Sequence, residues 1–288
     1  MYRSMSYIYQ MDCVEGARQL AEIYGRFADV IITSPPYAEQ RKNQYGGIPE
    51  KEYPEFTLRW VEQVMEILNP DGSLFINIRP HIKNGVLSDY VLKTRLLLRE
   101  SGFSESEELI WYKPDSPPLG SINRPRRAWE SILWFSKTSK PYCNPKAVGN
   151  PSNRIGFENS KFEHGGKSHI HAGQNKAGVG VARGIDVIVA GTSKIEKGYE
   201  HSAMFPLEIP DYIIKLCCRP FGMVVDPFMG SGTTMRSAVL NGMGFCGFET
   251  IAKHYLEARN SLYEMIKQNE LELIYPEFVE GVLADKEG

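Results

Sequence analysis

The run Asp29-Val30-Ile31-Ile32-Thr33 is apolar through its centre and stops at Ser34-Pro35-Pro36. It reads as a buried strand ended by proline, which lacks the N–H that a ladder needs. Far along the chain, Met223 to Asp226 reads as a second strand, and Gly230-Ser231-Gly232 follows it as a turn. The C-terminal part offers only this strand and Gly244 to Glu249, too few to close a sheet alone. Both ends of the chain must therefore contribute to one sheet.

Helical and strand patterns alternate around these runs. Val14 to Tyr24 has helical spacing, with Asp12 as a candidate cap. Glu55 to Leu68 is an amphipathic helix closed by Asn69-Pro70-Asp71-Gly72, a turn that feeds the strand Ser73 to Ile78. Leu87 to Ser101 reads as a helix ended by Gly102. Glu107 to Tyr112 and Glu130 to Ser136 read as strands, and Leu207 to Cys218 as a helix. Thr233 to Leu240 is the next helix, stopped by Asn241-Gly242, and Ile251 to Gln268 is a long final one. The alternation argues an α/β sheet with helices on both faces. From Asn144 to His201 the chain is instead rich in Gly, Asn, Ser, Lys and His, with one apolar run at Ile185 to Ala190. A stretch like this inside a domain is usually functional or disordered, and it reads as a loop-rich insertion. The expected division is 1–137, an insertion 138–200, and 201–288, with the first and last parts in one domain.

A 288-residue chain can bury a core large enough for such a domain. No apolar run reaches the roughly 20 residues of a membrane span, and the first residues lack the pattern of a secretion signal. The five cysteines form no Cys-x-x-Cys pair. That speaks against a disulfide framework or a zinc site and for a cytoplasmic protein. His169-x-His171 has no third ligand in view, so no metal is expected. The formal net charge of −2 hides an asymmetry: Trp111 to His201 holds 14 Lys and Arg against 7 Asp and Glu, whereas the remainder holds 19 against 28. A basic middle on an acidic body is either a face for a polyanion or a solvated loop.

The glycine turn lets the backbone approach a ligand and opens a helix. Glu249, at the end of the next strand, is placed to accept hydrogen bonds from ribose hydroxyls. A phosphate-binding P-loop would need Lys after Gly232, where Thr233 stands, and a dinucleotide fingerprint would need a third glycine that does not follow. The remaining choices are an ordinary strand-to-helix turn and a site for another nucleotide-like cofactor.

Two strings resolve that choice by resemblance. Asp226-Pro227-Phe228-Met229-Gly230-Ser231-Gly232-Thr233-Thr234 resembles the cofactor loop, and Ser34-Pro35-Pro36-Tyr37 the catalytic motif, of the amino-group DNA methyltransferases of the β permutation. The resemblance runs from about Ile8 to Ile266. It implies a Rossmann-like, circularly permuted sheet in which the catalytic half precedes the cofactor half, with S-adenosylmethionine as the cofactor. Asp226, Pro227, Phe228, Gly230, Ser231, Gly232, Thr233 and Glu249 would form the cofactor site, with Asp226 near the cofactor's ammonium group. Phe205 and Pro206, in His201-Ser202-Ala203-Met204-Phe205-Pro206, would lie beside the cofactor. Asp12 either caps its helix or approaches the adenine amine.

The chemistry that the motif must perform is demanding. An exocyclic amine on cytosine or adenine is a poor nucleophile, because its lone pair is delocalised into the ring. Ser34 Oγ and the rigid Pro35 carbonyl can accept its N–H groups and free the lone pair. Pro36 continues the rigid segment, and Tyr37 offers a face for stacking. The chain contains no Pro-Cys dipeptide, which speaks against methylation at cytosine C5. Within the resembled family, Ser at the first motif position is typical of N4-cytosine enzymes and Asp of N6-adenine enzymes. The cofactor turn comes second in the chain, unlike in the protein-glutamine and RNA enzymes that carry a related Asn-Pro-Pro-Tyr. The resemblance further implies double-stranded DNA as substrate, with the target base flipped out. By the same resemblance Arg124, Arg126 and Arg127 either hold phosphates or enter the cavity left by the flipped base, unless they form a solvated basic loop, and Lys137 is a further DNA-binding candidate. The basic insertion would recognise the target, and a cognate restriction endonuclease is a candidate partner, with the enzyme a monomer or homodimer. Asn77 would reach the cofactor or base pocket.

Overall fold

β2 (Ala28–Thr33) is buried at all six positions, which requires cover on both of its faces. The structure, a computed structural model, describes residues 6–39, 47–117, 123–152, 161–164, 167–170, 180–192 and 205–268. Before β2 come β1 (Ser6–Tyr9) and α1 (Cys13–Tyr24); after it come α2 (Tyr53–Ile67) and β3 (Leu68–Ile78). A small hairpin of β4 (Ile82–Lys83) and β5 (Val86–Leu87) leads to α3 (Tyr90–Glu100), β6 (Ser104–Tyr112) and β7 (Trp129–Ser136). Four short strands follow: β8 (Pro151–Ser152), β9 (Lys161–His164), β10 (Lys167–Ile170) and β11 (Gly180–Val181). The chain then runs through β12 (Val187–Val189), α4 (Glu208–Cys217), β13 (Met223–Asp226), α5 (Thr233–Leu240), β14 (Gly244–Phe248) and α6 (Ala252–Gln268).

The main sheet has the order β1-β14-β13-β2-β3-β7-β6-β12. Only β7 runs against the others, being antiparallel to β3 and β6. Alternating residues make two cores, as the two-residue period of a strand requires. Ile31, Leu74, Ile76, Leu133, Phe135, Val225 and Cys246 join one apolar cluster with Leu20 of α1, Trp60 and Val64 of α2, and Tyr90 and Leu98 of α3. The intervening Val30, Ile32, Phe75, Ile132, Val224 and Phe245 are equally buried. Their cover falls to α4, α5 and α6, which pack on one another and on β2, β13, β14 and β1.

Several expectations change in detail. β1 went unread; it pairs in parallel with β14 and forms one edge of the sheet. The turn read at Asn69-Pro70-Asp71-Gly72 is an irregular part of β3, with Leu68 opposite Ala28 and Ser73 opposite Val30. The apolar run inside the supposed insertion is β12, which pairs with β6 and extends the main sheet. The described residues form two compact units, one from Met1–Cys143 with Asp186–Gly288 and one from Asn144–Ile185. Within the second, β9 pairs with β10 and β8 with β11, both antiparallel. Among the described residues no helix is long and apolar enough to cross a membrane.

Candidate active site

β13 and β2 are parallel neighbours, with Val224 opposite Val30 and Val225 opposite Ile31. Their carboxyl ends therefore emerge side by side. From β2 the chain builds outward through β3; from β13 it builds the other way through β14. This is a topological switch point, where open α/β sheets bind ligands. The two strings singled out in the sequence sit on its two lips. They are joined directly: Thr33 Oγ1 donates to Asp226 Oδ1 at 2.8 Å across 193 positions of chain.

The cofactor lip is tied down by two carboxylates. Asp226 is 1% exposed and also accepts from Phe228 N at 3.0 Å and Thr234 Oγ1 at 2.6 Å. Burial pushes its carboxyl up to about 6, against the pull of these three hydrogen bonds. Glu249 accepts from Gly230 N at 3.0 Å and Ile251 N at 2.8 Å, which fastens the turn to the end of β14. Phe228 anchors the turn on α2, edge-on to Trp60 at 5.4 Å. Pro227, Ser231 and Thr233 are buried within it, and Phe205 and Pro206 are buried just ahead of α4. The rest of that last segment, His201 to Met204, lies outside the described residues, as does His171.

The turn suits a ligand that lies against backbone. A methyl group at Gly230 would meet nothing within 4 Å, so its outer side opens to space. Gly232 has φ +87°, and a Cβ there would come within 2.7 Å of Met235 Cε and 3.2 Å of Ala258 Cβ. Gly232→Ala should therefore destabilise the fold by about 2 kcal/mol through strain and overpacking. Thermal unfolding measures this, and an unchanged midpoint would contradict the geometry. Asp12 stands beyond β1 on the same edge of the sheet, where its Oδ1 accepts from Val14 N at 2.9 Å and caps α1.

The opposite lip carries Ser34-Pro35-Pro36-Tyr37. The Tyr37 hydroxyl donates to Glu130 Oε2 at 2.8 Å. Asn77 Nδ2 lies 2.9 Å from the same hydroxyl, 3.0 Å from Glu130 Oε2 and 3.5 Å from Ser34 Oγ. The other oxygen of Glu130 accepts from Lys113 Nζ, with Arg79 3.7 Å away. Glu130 and Lys113 are 6% and 7% exposed, which makes this an internal ion pair. Burial and the Glu130 charge hold the Tyr37 hydroxyl well above its ordinary value, so it stays a neutral phenol and a hydrogen-bond donor. Burial lowers the Lys113 ammonium, and Glu130 opposes that shift. The arrangement is a polar-floored recess with an aromatic ring at its mouth, where the Ser34 hydroxyl is hydrogen-bonded to Tyr37 and lies 3.5 Å from Asn77 Nδ2.

The family described as DNA methylase, of N6/N4 type, matches residues 28–260. The chain belongs to the N6/N4 DNA methylase family. It is an S-adenosylmethionine-dependent DNA methyltransferase. Among its relatives is the type II methyltransferase M.PvuII of Proteus hauseri, 28% identical over 246 residues, or 76% of this chain and 73% of that one. The solved structure of PvuII DNA methyltransferase, titled cytosine-N4-specific, superimposes with a TM-score of 0.66 at 22% identity, covering 92% of this chain and 95% of that one. The complex of M1.HpyAVI with S-adenosylmethionine gives 0.61 at 22% identity, over 90% of this chain and 99% of that one. These two likenesses establish the fold.

In this DNA methylase the basic residues separate into two places. Arg124, Arg126 and Arg127 lie on the segment entering β7, on the same edge as both lips. Arg124 and Arg126 are exposed, while Arg127 is partly buried. Arg126 donates to Ser116 O at 3.0 Å and Arg127 to Pro80 O at 2.5 Å, which spreads the guanidinium groups along the rim. Lys137 is not with them. β7 runs antiparallel and carries it to the far edge of the sheet, where its ammonium lies 3.6 Å from Glu66. The structure therefore places Lys137 apart from the three arginines with which it was grouped. Sequence reasoning also passed over Glu130, Lys113 and Arg79. A charged residue two positions ahead of the apolar run Ile132 to Phe135 was the available signal for Glu130.

Proposed function

We propose that the chain is a site-specific methyltransferase acting on the exocyclic N4 of a cytosine flipped out of duplex DNA. The observation that carries the choice of base is Ser34 in the first motif position. The likeness to a methyltransferase titled cytosine-N4-specific supports it. Bound S-adenosylmethionine supplies an electrophilic methyl group on sulfur. The residues of the chain do the rest by positioning. Tyr37, fastened at its hydroxyl, presents its ring as a stacking surface. Ser34 Oγ accepts one N–H of the target amine, and the Pro35 carbonyl is the backbone acceptor for the other. The amine lone pair then turns out of conjugation toward the cofactor lip, and a proton leaves to water after transfer. A base inside a duplex is out of reach, so flipping costs a few kcal/mol. Arg124, Arg126 and Arg127 on the rim suit the phosphates around the displaced nucleotide. The stretch 138–200 is the target-recognition segment in this reading, and a restriction endonuclease of the same sequence specificity is the implied partner.

Methylating duplex DNA with labelled cofactor, digesting it to nucleosides and weighing the product tests the reading. N4-methyldeoxycytidine is expected. N6-methyldeoxyadenosine would replace cytosine by adenine within the same architecture. Label appearing in RNA or protein but not in DNA, or duplex binding without any transfer, would overturn the reading.

A further inference from the structure

Asn77 is 4% exposed, yet its Oδ1 has no hydrogen-bond partner among the described residues. A buried carbonyl left unpaired costs about 1–3 kcal/mol, and a ligand that brings a donor to it would recover that cost. The orientation of the amide is not arbitrary. Glu130 Oε2 is a carboxylate oxygen and can only accept, so the NH2 of Asn77 must face it. Tyr37 has given its one hydroxyl proton to that same oxygen, so it too presents an acceptor to Asn77 Nδ2. Glu130 is held in turn by Lys113, with Arg79 close by. This chain of constraints leaves Oδ1 as an acceptor turned away from the network, on a side chain whose other end reaches toward Ser34.

We infer that Asn77 Oδ1 accepts a hydrogen bond from the target amine, joining the Pro35 carbonyl at its second N–H, and that Glu130 is the positioning residue that fixes this orientation. The inference rests on methylation of an exocyclic amine at Ser34, and it adds a substrate contact and its support to that site. Two amines meet at this edge, the target's and the cofactor's ammonium. The target's is the one assigned, because the Nδ2 end of the same amide lies against Ser34 and Tyr37, which places Asn77 beside the Ser-Pro-Pro-Tyr lip.

The test compares Asn77→Ala, Glu130→Gln and the double variant Asn77→Asp/Glu130→Gln, with turnover on duplex DNA and cofactor affinity measured for each. Asn77→Ala removes the acceptor and should lower kcat by about 100-fold, the scale seen when one group that stabilises a transition state is lost. In Glu130→Gln the new amide oxygen must serve Lys113, so its NH2 faces Asn77. The Asn77 amide then turns over and offers a donor where an acceptor was, with a similar expected loss. The double variant exchanges amide and carboxylate between the two positions. The amide at 130 donates to the carboxylate at 77, whose outer oxygen is again an acceptor, and kcat should return to within about fivefold of wild type, as coupled neighbours require. Cofactor affinity should stay within about twofold throughout, which also shows that the variants fold. A double variant no better than the worse single would reduce the network to packing and overturn the inference. So would a loss in cofactor affinity in place of kcat, which would assign Oδ1 to the ammonium. If the wild-type protein transfers no methyl to DNA, the proposed function fails and takes the inference with it; wild-type rates in Asn77→Ala sink the inference alone.

Discussion

Ser34→Ala is expected to lower methyl transfer to duplex DNA by about 100- to 1,000-fold, with S-adenosylmethionine affinity within about twofold of wild type. The two halves of this expectation come from different lips of the cleft. Ser34 follows β2, and the hydrogen bonds that shape the cofactor turn come from Thr33, Thr234, Phe228 N, Gly230 N and Ile251 N. None of them uses the Ser34 hydroxyl, so its removal leaves the turn intact. The target amine, by contrast, loses the acceptor that holds one of its N–H groups out of the plane of the ring. That interaction strengthens as the nitrogen becomes tetrahedral, so its loss falls on kcat more than on KM. Single-turnover kinetics with labelled cofactor separates the two. Undiminished turnover would remove Ser34 from the chemistry, and a parallel collapse of cofactor affinity would show that the two lips are not independent.

The two lips are also the parts that could be read from residues alone. Each lip is a continuous string at the end of an apolar strand, and strands of that kind are legible because every position must be buried. The sheet could be foreseen as shared between the two ends of the chain, since Met223–Asp226 and Gly244–Phe248 need partners that only the N-terminal half supplies. The floor of the recess was not legible, because it is made by register. Asn77 lies opposite Ile132 and Trp111 opposite Glu130. Glu130 is thus the diagonal neighbour of Asn77 on one face, and Lys113 follows two residues after Trp111 on that face. A slip of one residue in any of these strands would turn its member of the group to the other side, and nothing local in the sequence sets that pairing. The same cause explains Lys137. It sits close in sequence to Arg127, but eight residues of an extended strand carry it about 25 Å away. β1 was missed for a third reason: four residues at a sheet edge give too short a pattern to separate from the chain before a helix.

Asp226→Asn should make the protein without cofactor more stable at neutral pH and bind S-adenosylmethionine less well. The carboxyl of Asp226 is raised from 3.8 to about 6, and the first cause is burial of its charge. A raised acid binds a proton more readily folded than unfolded. Its contribution therefore favours folding below pH 4, falls as pH climbs through the interval from about 4 to 6, and stays unfavourable above it. Two pH units correspond to at most about 3 kcal/mol. Asparagine keeps the shape: its oxygen takes the place of Oδ1 and accepts from Phe228 N and Thr33, and its amide donates to the Thr234 hydroxyl. Denaturant unfolding at pH 7.5 should show the variant more stable by about 1–3 kcal/mol, with the gap closing toward pH 4.5. A charged, buried and costly carboxylate in a cleft points to a task that needs the charge, and the cofactor's ammonium is the cation expected there. Loss of that attraction should weaken cofactor binding by about 10- to 100-fold, measured by calorimetry. A variant that gains stability and binds cofactor as tightly as wild type would confine Asp226 to holding the turn together.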